Sequence, residues 1–144
     1  MTSLSSPDVG LRLPARTRRI GATFPPEPHR VEHMRRLAAA HLSQIGGIEP
    51  DDVRTVQLLV SELVTNAIQH GCPGGEEDRI GFSLAWTPPG TVRIEVDDHS
   101  EGLPAVRTSG PGEEGGRGLF LVAAFADRWG RAGTRTWCTL GVAD

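Results

Sequence analysis

The 144-residue chain contains no lysine and no tyrosine; all 15 of its basic residues are arginine. Without lysine there is no P-loop lysine to reach a nucleotide phosphate, no protein-kinase strand lysine and no pyridoxal Schiff base. Any phosphate handling must rest on arginine, backbone amides or a metal ion. Long apolar runs are missing too. No stretch approaches the roughly 20 residues that span a bilayer, and residues 1–20 lack the apolar core of a signal peptide. The expectation is a cytoplasmic protein with no membrane partner. Cysteine is scarce: Cys72 and Cys138 lie far apart and outside any CxxC pair, which reads as free thiols, with neither a disulfide nor a zinc site. Nor is there an excess of positive charge. A net charge of -3 and a pI near 5.9 argue against direct nucleic-acid binding, which gains affinity by neutralising phosphates with a basic patch.

The length suits one domain, and 38% hydrophobic residues suffice for a core, while 18 glycines and 11 prolines predict long loops. Residues 1–17, with Arg12 and Arg16 beside Arg18 and Arg19, read as a disordered N-terminal tail, and 18–144 as the folded domain. RRIGATFPP (18–26) predicts a short strand stopped by Pro25 and Pro26. Val31, Met34, Leu37, Ala38, Leu42 and Ile45 recur at helical spacing over 29–45, before Gly46 and Gly47. A second helix is expected over about 50–70, with Pro50 at its start, Asp51 and Asp52 at the positive end of its dipole, and Gly71 after it. RIGFSLAW (79–86) and TVRIEVDD (91–98) alternate as strands around Pro88, Pro89 and Gly90 and predict an antiparallel hairpin. Residues 99–118, rich in glycine and poor in large apolar side chains, predict a mobile loop. GLFLVAAFADRW (118–129) has a helical period, and a strand pair is expected through 129–142 around Gly133. The fold class is therefore α+β: a two-layer sandwich with helices on one face of a mainly antiparallel sheet.

Three segments can carry chemistry. On the second helix, Glu62, Asn66 and His70 follow one another at i, i+4, i+8 beside the apolar stripe of Val53, Val56, Leu59, Val60, Leu63, Val64 and Ala67. An amide oxygen is a hard ligand that suits Mg²⁺, and a carboxylate one turn away can orient or deprotonate a hydroxyl. The same residues are also compatible with a solvated glutamate and an asparagine bonded to nearby backbone, with His70 answering the helix dipole. DDHSEGLP (97–104) sits where a strand ends: Asp98 can accept from an exocyclic amine and Gly102 permits close backbone approach, although Asp, Ser and Gly there also make ordinary turns. In EEGGRGLFLV (113–122), Gly115, Gly116 and Gly118 lead into a helix, whose first amides form an anion site that Arg117 can reinforce.

Taken together and in order, ELVTNAIQHG (62–71) resembles the N box, DDHSEG (97–102) the first glycine box and GGRGL (115–119) the second glycine box of the histidine-kinase-type ATPases, the Bergerat-fold or GHKL superfamily. Spacing and small size resemble its single-domain branch, the anti-sigma factor serine kinases, over about residues 18–142. The resemblance implies a Bergerat-type sandwich that binds ATP and Mg²⁺ and acts as a protein serine/threonine kinase. It implies Asn66 as Mg²⁺ ligand, Glu62 as catalytic base or hydroxyl-orienting residue, and Asp98 as the carboxylate that recognises adenine. Ser100, Gly102, Gly115, Gly116, Arg117, Gly118 and Leu119 would flank the nucleotide, with residues 103–115 as the ATP lid. The implied partners are a sigma factor and a STAS-like antagonist protein, with a homodimer as the suggested assembly. The all-arginine composition fits a bacterial source.

Two features depart from the family pattern. Ser100 stands for the first glycine of DxGxG, and Glu113 and Glu114 stand where a lid arginine can reach the γ-phosphate, leaving Arg107 or Arg117 to take that part. A catalytically weak nucleotide-binding interaction module is therefore the alternative to a kinase. A sensor histidine kinase fragment fits less well, since 144 residues leave no room for a phosphoacceptor bundle. His29 and His33 read as surface or capping residues, Trp129 and Trp137 as sheet-packing residues, and Cys72 as an unactivated thiol.

Overall fold

A computed structural model describes residues 16–70, 79–99 and 114–142, with the side chains of residues 70 and 114–118 outside that description. Among the described residues the order of elements is β1 (Arg18–Phe24), α1 (Arg30–Ile45), α2 (Pro50–His70), β2 (Ile80–Thr87), β3 (Thr91–Asp97), α3 (Glu114–Phe125), β4 (Arg128–Ala132) and β5 (Arg135–Gly141). The strands form one antiparallel sheet in the order β1-β2-β3-β5-β4.

Alternation along the strands sorts the two faces of the sheet. Three rows of cross-strand partners run through it: Ala22, Phe82, Val96 and Thr136; Ile20, Leu84, Ile94 and Cys138; and Trp86, Val92 and Leu140. Most of these side chains are buried, and they share one core with Met34, Ala38 and Leu42 of α1, the α2 stripe and Val122 of α3. All three helices thus cover the same face. The opposite face carries Arg19, Ser83, Arg93, Glu95, Trp137 and Arg128. This division of an antiparallel sheet into a packed side and a wet side is what a period of two produces.

The helices end where the sequence places their stop signals. Gly46, at φ 83°, closes α1 with its N–H donating to the Leu42 carbonyl at 3.1 Å, a conformation that suits glycine. At the start of α2 the Glu49 carbonyl accepts from the amides of Asp52 and Val53, and Asp51 and Asp52 occupy the first turn.

One element differs from expectation at both ends. The helix predicted over 118–129 is α3, which starts earlier, at Glu114, and ends earlier, at Phe125. Glycine is a poor helix former, so periodicity alone begins at the first apolar residues, whereas α3, which packs on α2, extends back through the glycines. At the other end the Asp127 amide donates across to the Thr139 carbonyl at 2.8 Å, which pulls the chain into the sheet and pairs Trp129 with Cys138. Sheet pairing takes the residues that a helical period would have claimed.

The hairpin turn at Gly90 is closed by the far end of the chain: the Val142 amide donates to the Gly90 carbonyl at 2.8 Å. A Cβ on residue 90 would run into the Val142 carbonyl oxygen. Gly90→Ala should therefore cost about 1–3 kcal/mol through overpacking. Urea unfolding followed by circular dichroism checks this, and an unchanged midpoint would contradict the tight approach of the two backbones.

Candidate functional site

The α2 stripe is buried at Val56, Leu59, Val60, Leu63, Val64 and Ala67. At about 100° per residue, Asn66 falls about 90° from the centre of that stripe and Glu62 about 130°. Both are accordingly half-buried at the flank of the helix. Burial pushes the Glu62 carboxyl above its ordinary value, because desolvation disfavours the anion. A carboxylate raised in this way is a better proton acceptor than an exposed one near neutral pH. The backbone of His70 closes α2, and Cys72 lies outside the described residues.

The exit of β3 is held by the β4–β5 hairpin. Asp97 and Asp98, adjacent in sequence, face opposite sides of the sheet and meet different partners. Asp97 accepts from the Thr134 hydroxyl at 2.6 Å, from the His99 amide at 2.9 Å and from Arg135 Nε at 3.5 Å. Burial on its own would raise the Asp97 carboxyl; the hydrogen bonds from Thr134 and His99, the charge of His99 and the bond from Arg135 outweigh it and lower the group below its usual value. Asp98 is 4% exposed. Its amide donates to the Thr134 carbonyl at 3.1 Å, and its carboxylate accepts from Arg131 Nη1 and Nη2, each at 3.2 Å. His99 then turns the chain out of the strand at φ 55°. Ser100, Gly102 and residues 103–113 of the lid expected over 103–115 lie outside the described residues, while the last two positions of that lid, Glu114 and Gly115, open α3 instead.

Gly115 and Gly116 fall in the first turn of α3, where the amides have no acceptor within the helix, and Arg117 follows them. Gly118 and Leu119 continue the same helix. Leu119 is half-buried and its neighbour Phe120 is exposed. The segments expected to act together are joined through α2, which packs on both β3 and α3.

The minor candidates sort plainly. His29 occupies the position before α1 without capping it through its side chain, and its ring meets His33 edge-on at 5.4 Å, in keeping with a surface pair. Trp137 is a sheet-packing residue: its ring lies against Gly130 and under the Arg93 guanidinium at 4.5 Å. Trp129 departs from expectation, being 39% exposed on the edge strand. Cys138 is buried, which pushes its thiol up to about 12 and makes it inert.

Arg131, Thr134 and Thr136 escaped the reading of the sequence. Nothing in the spacing of Asp98 and Arg131 announces their contact. A strand register that sets Asp97 opposite Arg135 would have been the signal.

The model of the histidine kinase-like ATPase domain family matches residues 24–140, a match consistent with the α+β fold, and the chain belongs to that family. Among individual proteins, the chain is similar to the anti-sigma F factor of Heyndrickxia coagulans, with 33% identity over 85 residues. The match covers 54% of this chain and 58% of that protein, so the chain spans little more than half the length of the curated relative it matches.

Two pH effects follow from the carboxylates. Glu62 has a raised folded value, so its ionisation opposes folding once the pH exceeds the ordinary value of 4.5. Glu62→Gln should therefore unfold at higher urea concentration than the wild type at pH 7, with the difference vanishing below pH 4.5; a constant difference across pH would refute the assignment. Asp97 has a lowered folded value, so its contribution is present above 3.8 and is lost as the pH falls through the lower folded value. Thr134→Val should cost about 1–2 kcal/mol at pH 7, and the gap should close on acidification through that range.

Proposed function

We propose that this chain is an ATP-dependent protein serine/threonine kinase of the anti-sigma type, which binds a sigma factor and phosphorylates a small antagonist protein. The observation that carries the reading is the family match across residues 24–140, which takes in the α2 row, the β3 exit and the start of α3. The similarity to an anti-sigma F factor supports the choice of partners. Among the described residues no helix is long and apolar enough to cross a membrane.

In this reading Asp98 accepts an N–H from the adenine amino group, the amides of Gly115 and Gly116 receive the phosphates and Arg117 adds charge-assisted bonds to them, with Ser100, Gly102, Gly118 and Leu119 beside the nucleotide. Asn66 is the protein ligand of Mg²⁺. Among the described residues no group of three His, Cys, Asp or Glu side chains could hold a metal. A single half-buried amide oxygen suits an ion that arrives with the nucleotide, since Mg²⁺ is usually held by one or two protein oxygens together with phosphates and water. When bound, it would neutralise charge on the phosphates. Glu62 takes the proton of the substrate hydroxyl as the hydroxyl oxygen bonds to the γ-phosphorus and the bond to the β-phosphate oxygen breaks, leaving ADP. Its raised proton affinity favours that role.

The acidic pair Glu113 and Glu114, where the family can carry a lid arginine, favours a second reading: a nucleotide-controlled binding module that transfers phosphate slowly or not at all. Labelled ATP with candidate antagonist proteins separates the two. For a kinase, Glu62→Ala should reduce transfer about 10²–10⁴-fold while leaving ATP affinity by calorimetry within a few-fold, and Asn66→Ala should remove the magnesium dependence of binding. Tight ATP binding without transfer to any partner would select the module, and absence of ATP binding would defeat both.

A further inference from the structure

Arg131 lies on the edge strand β4, opposite Thr136 of β5, and reaches across β5 to the end of β3. Its two terminal nitrogens engage the two oxygens of Asp98 in a fork, at 3.2 Å each, and Nη1 also donates to the Thr136 hydroxyl at 2.9 Å. The Asp98 side chain is 6% exposed and that of Arg131 21%. A fork of this kind fixes the plane of the carboxylate, which a single-point contact does not.

That geometry bears directly on how a buried carboxylate can recognise a base. An exocyclic amino group is neutral, so it brings no charge to offset the anion it meets, and the counter-charge must come from the protein. Arg131 supplies it. A carboxylate also has about four acceptor positions, so a fork that uses one on each oxygen is compatible with a further N–H from a ligand. Thr136, itself buried, anchors the guanidinium to β5 and ties the position of the fork to the sheet register.

We propose that Arg131 is the positioning residue of the base pocket: by holding the Asp98 carboxylate in one orientation, it sets selectivity for purine nucleotides that carry a 6-amino group over those with a 6-oxo group or hydrogen there. The proposal rests on the reading of Asp98 as the base-recognising carboxylate. It assigns to β4 a part in specificity that none of the three nucleotide-binding segments contains.

The test compares ATP, ITP and purine riboside triphosphate by calorimetry on the full chain, in the wild type and in Arg131→Met and Arg131→Lys. The wild type should favour ATP over the 6-hydrogen analogue by tenfold or more. In Arg131→Met the ratio should fall to within about threefold, through weaker ATP binding with little change for the analogue, and Arg131→Lys should recover part of it. If Arg131→Met fails to fold, Arg131→Lys alone decides, with a ratio expected between the wild-type value and one. An unchanged ratio in the folded variants, including a uniform loss for all three nucleotides, would overturn the proposal, as would a gain in ATP affinity, which would make Arg131 a cover over Asp98. A wild type that binds ATP with no preference for the amino group defeats the underlying reading of Asp98 instead, whatever the variants do.

Discussion

The burial of one stripe of α2 governs the rest of the molecule. Val56, Leu59, Val60, Leu63, Val64 and Ala67 are inaccessible to solvent, and each larger aliphatic among them is worth about 1.5–3 kcal/mol when removed from water. A shift of one residue in that stripe would rotate the helix by about 100° and drive polar side chains into the core. The rotation of α2 is therefore fixed by packing, and with it the half-buried positions of Glu62 and Asn66. The raised proton affinity of Glu62 is a by-product of the same packing, since it follows from depth alone. Chemistry at this flank is set by hydrophobic burial, with no ion pair needed to aim either side chain.

At the exit of β3 the period of a strand does what helix rotation does at α2. Asp97 and Asp98 differ by one residue and so belong to different environments: one meets Thr134, His99 and Arg135 toward the wet face, the other meets Arg131, itself bonded to Thr136, on the buried side. The hairpin of β4 and β5 serves both. Its path is constrained by Gly130, where a Cβ would come within 3.0 Å of the Trp137 ring, and by Gly133, at φ 64° in the turn. The ring that excludes a side chain at Gly130 also stacks on Arg93, so the wet face of the sheet carries an ordered layer of its own.

Much of this could be read in advance. The apolar spacing in α1 and α2, bounded by Gly46 and Pro50, reproduces the observed helices to within a residue, because both are long amphipathic segments with strong end signals. The β2–β3 hairpin is equally plain, since Val92, Ile94 and Val96 alternate with polar residues and become the buried side. The third helix departs from its apolar period at both ends: helix propensity undervalues the glycines of its first turn, and apolar period does not register that Trp129 has a sheet partner. Trp129 itself sits exposed on β4, the edge strand among the described residues.

Local order in the chain was enough to determine the element types, the antiparallel hairpins, the helix-bearing side of the sheet and the identity of Glu62, Asn66 and Asp98 as polar groups beside an apolar core. Each depends on a period of 3.6 or 2 and on turn residues close by. The counter-charge of Asp98 was decided only by tertiary structure. Arg131 stands 33 residues away from it, and their contact exists because β5 lies between β3 and β4 in one register. No local pattern encodes a pairing between strands so distant in the chain, whereas the requirement that a buried anion find a cation becomes visible as soon as the strands are side by side.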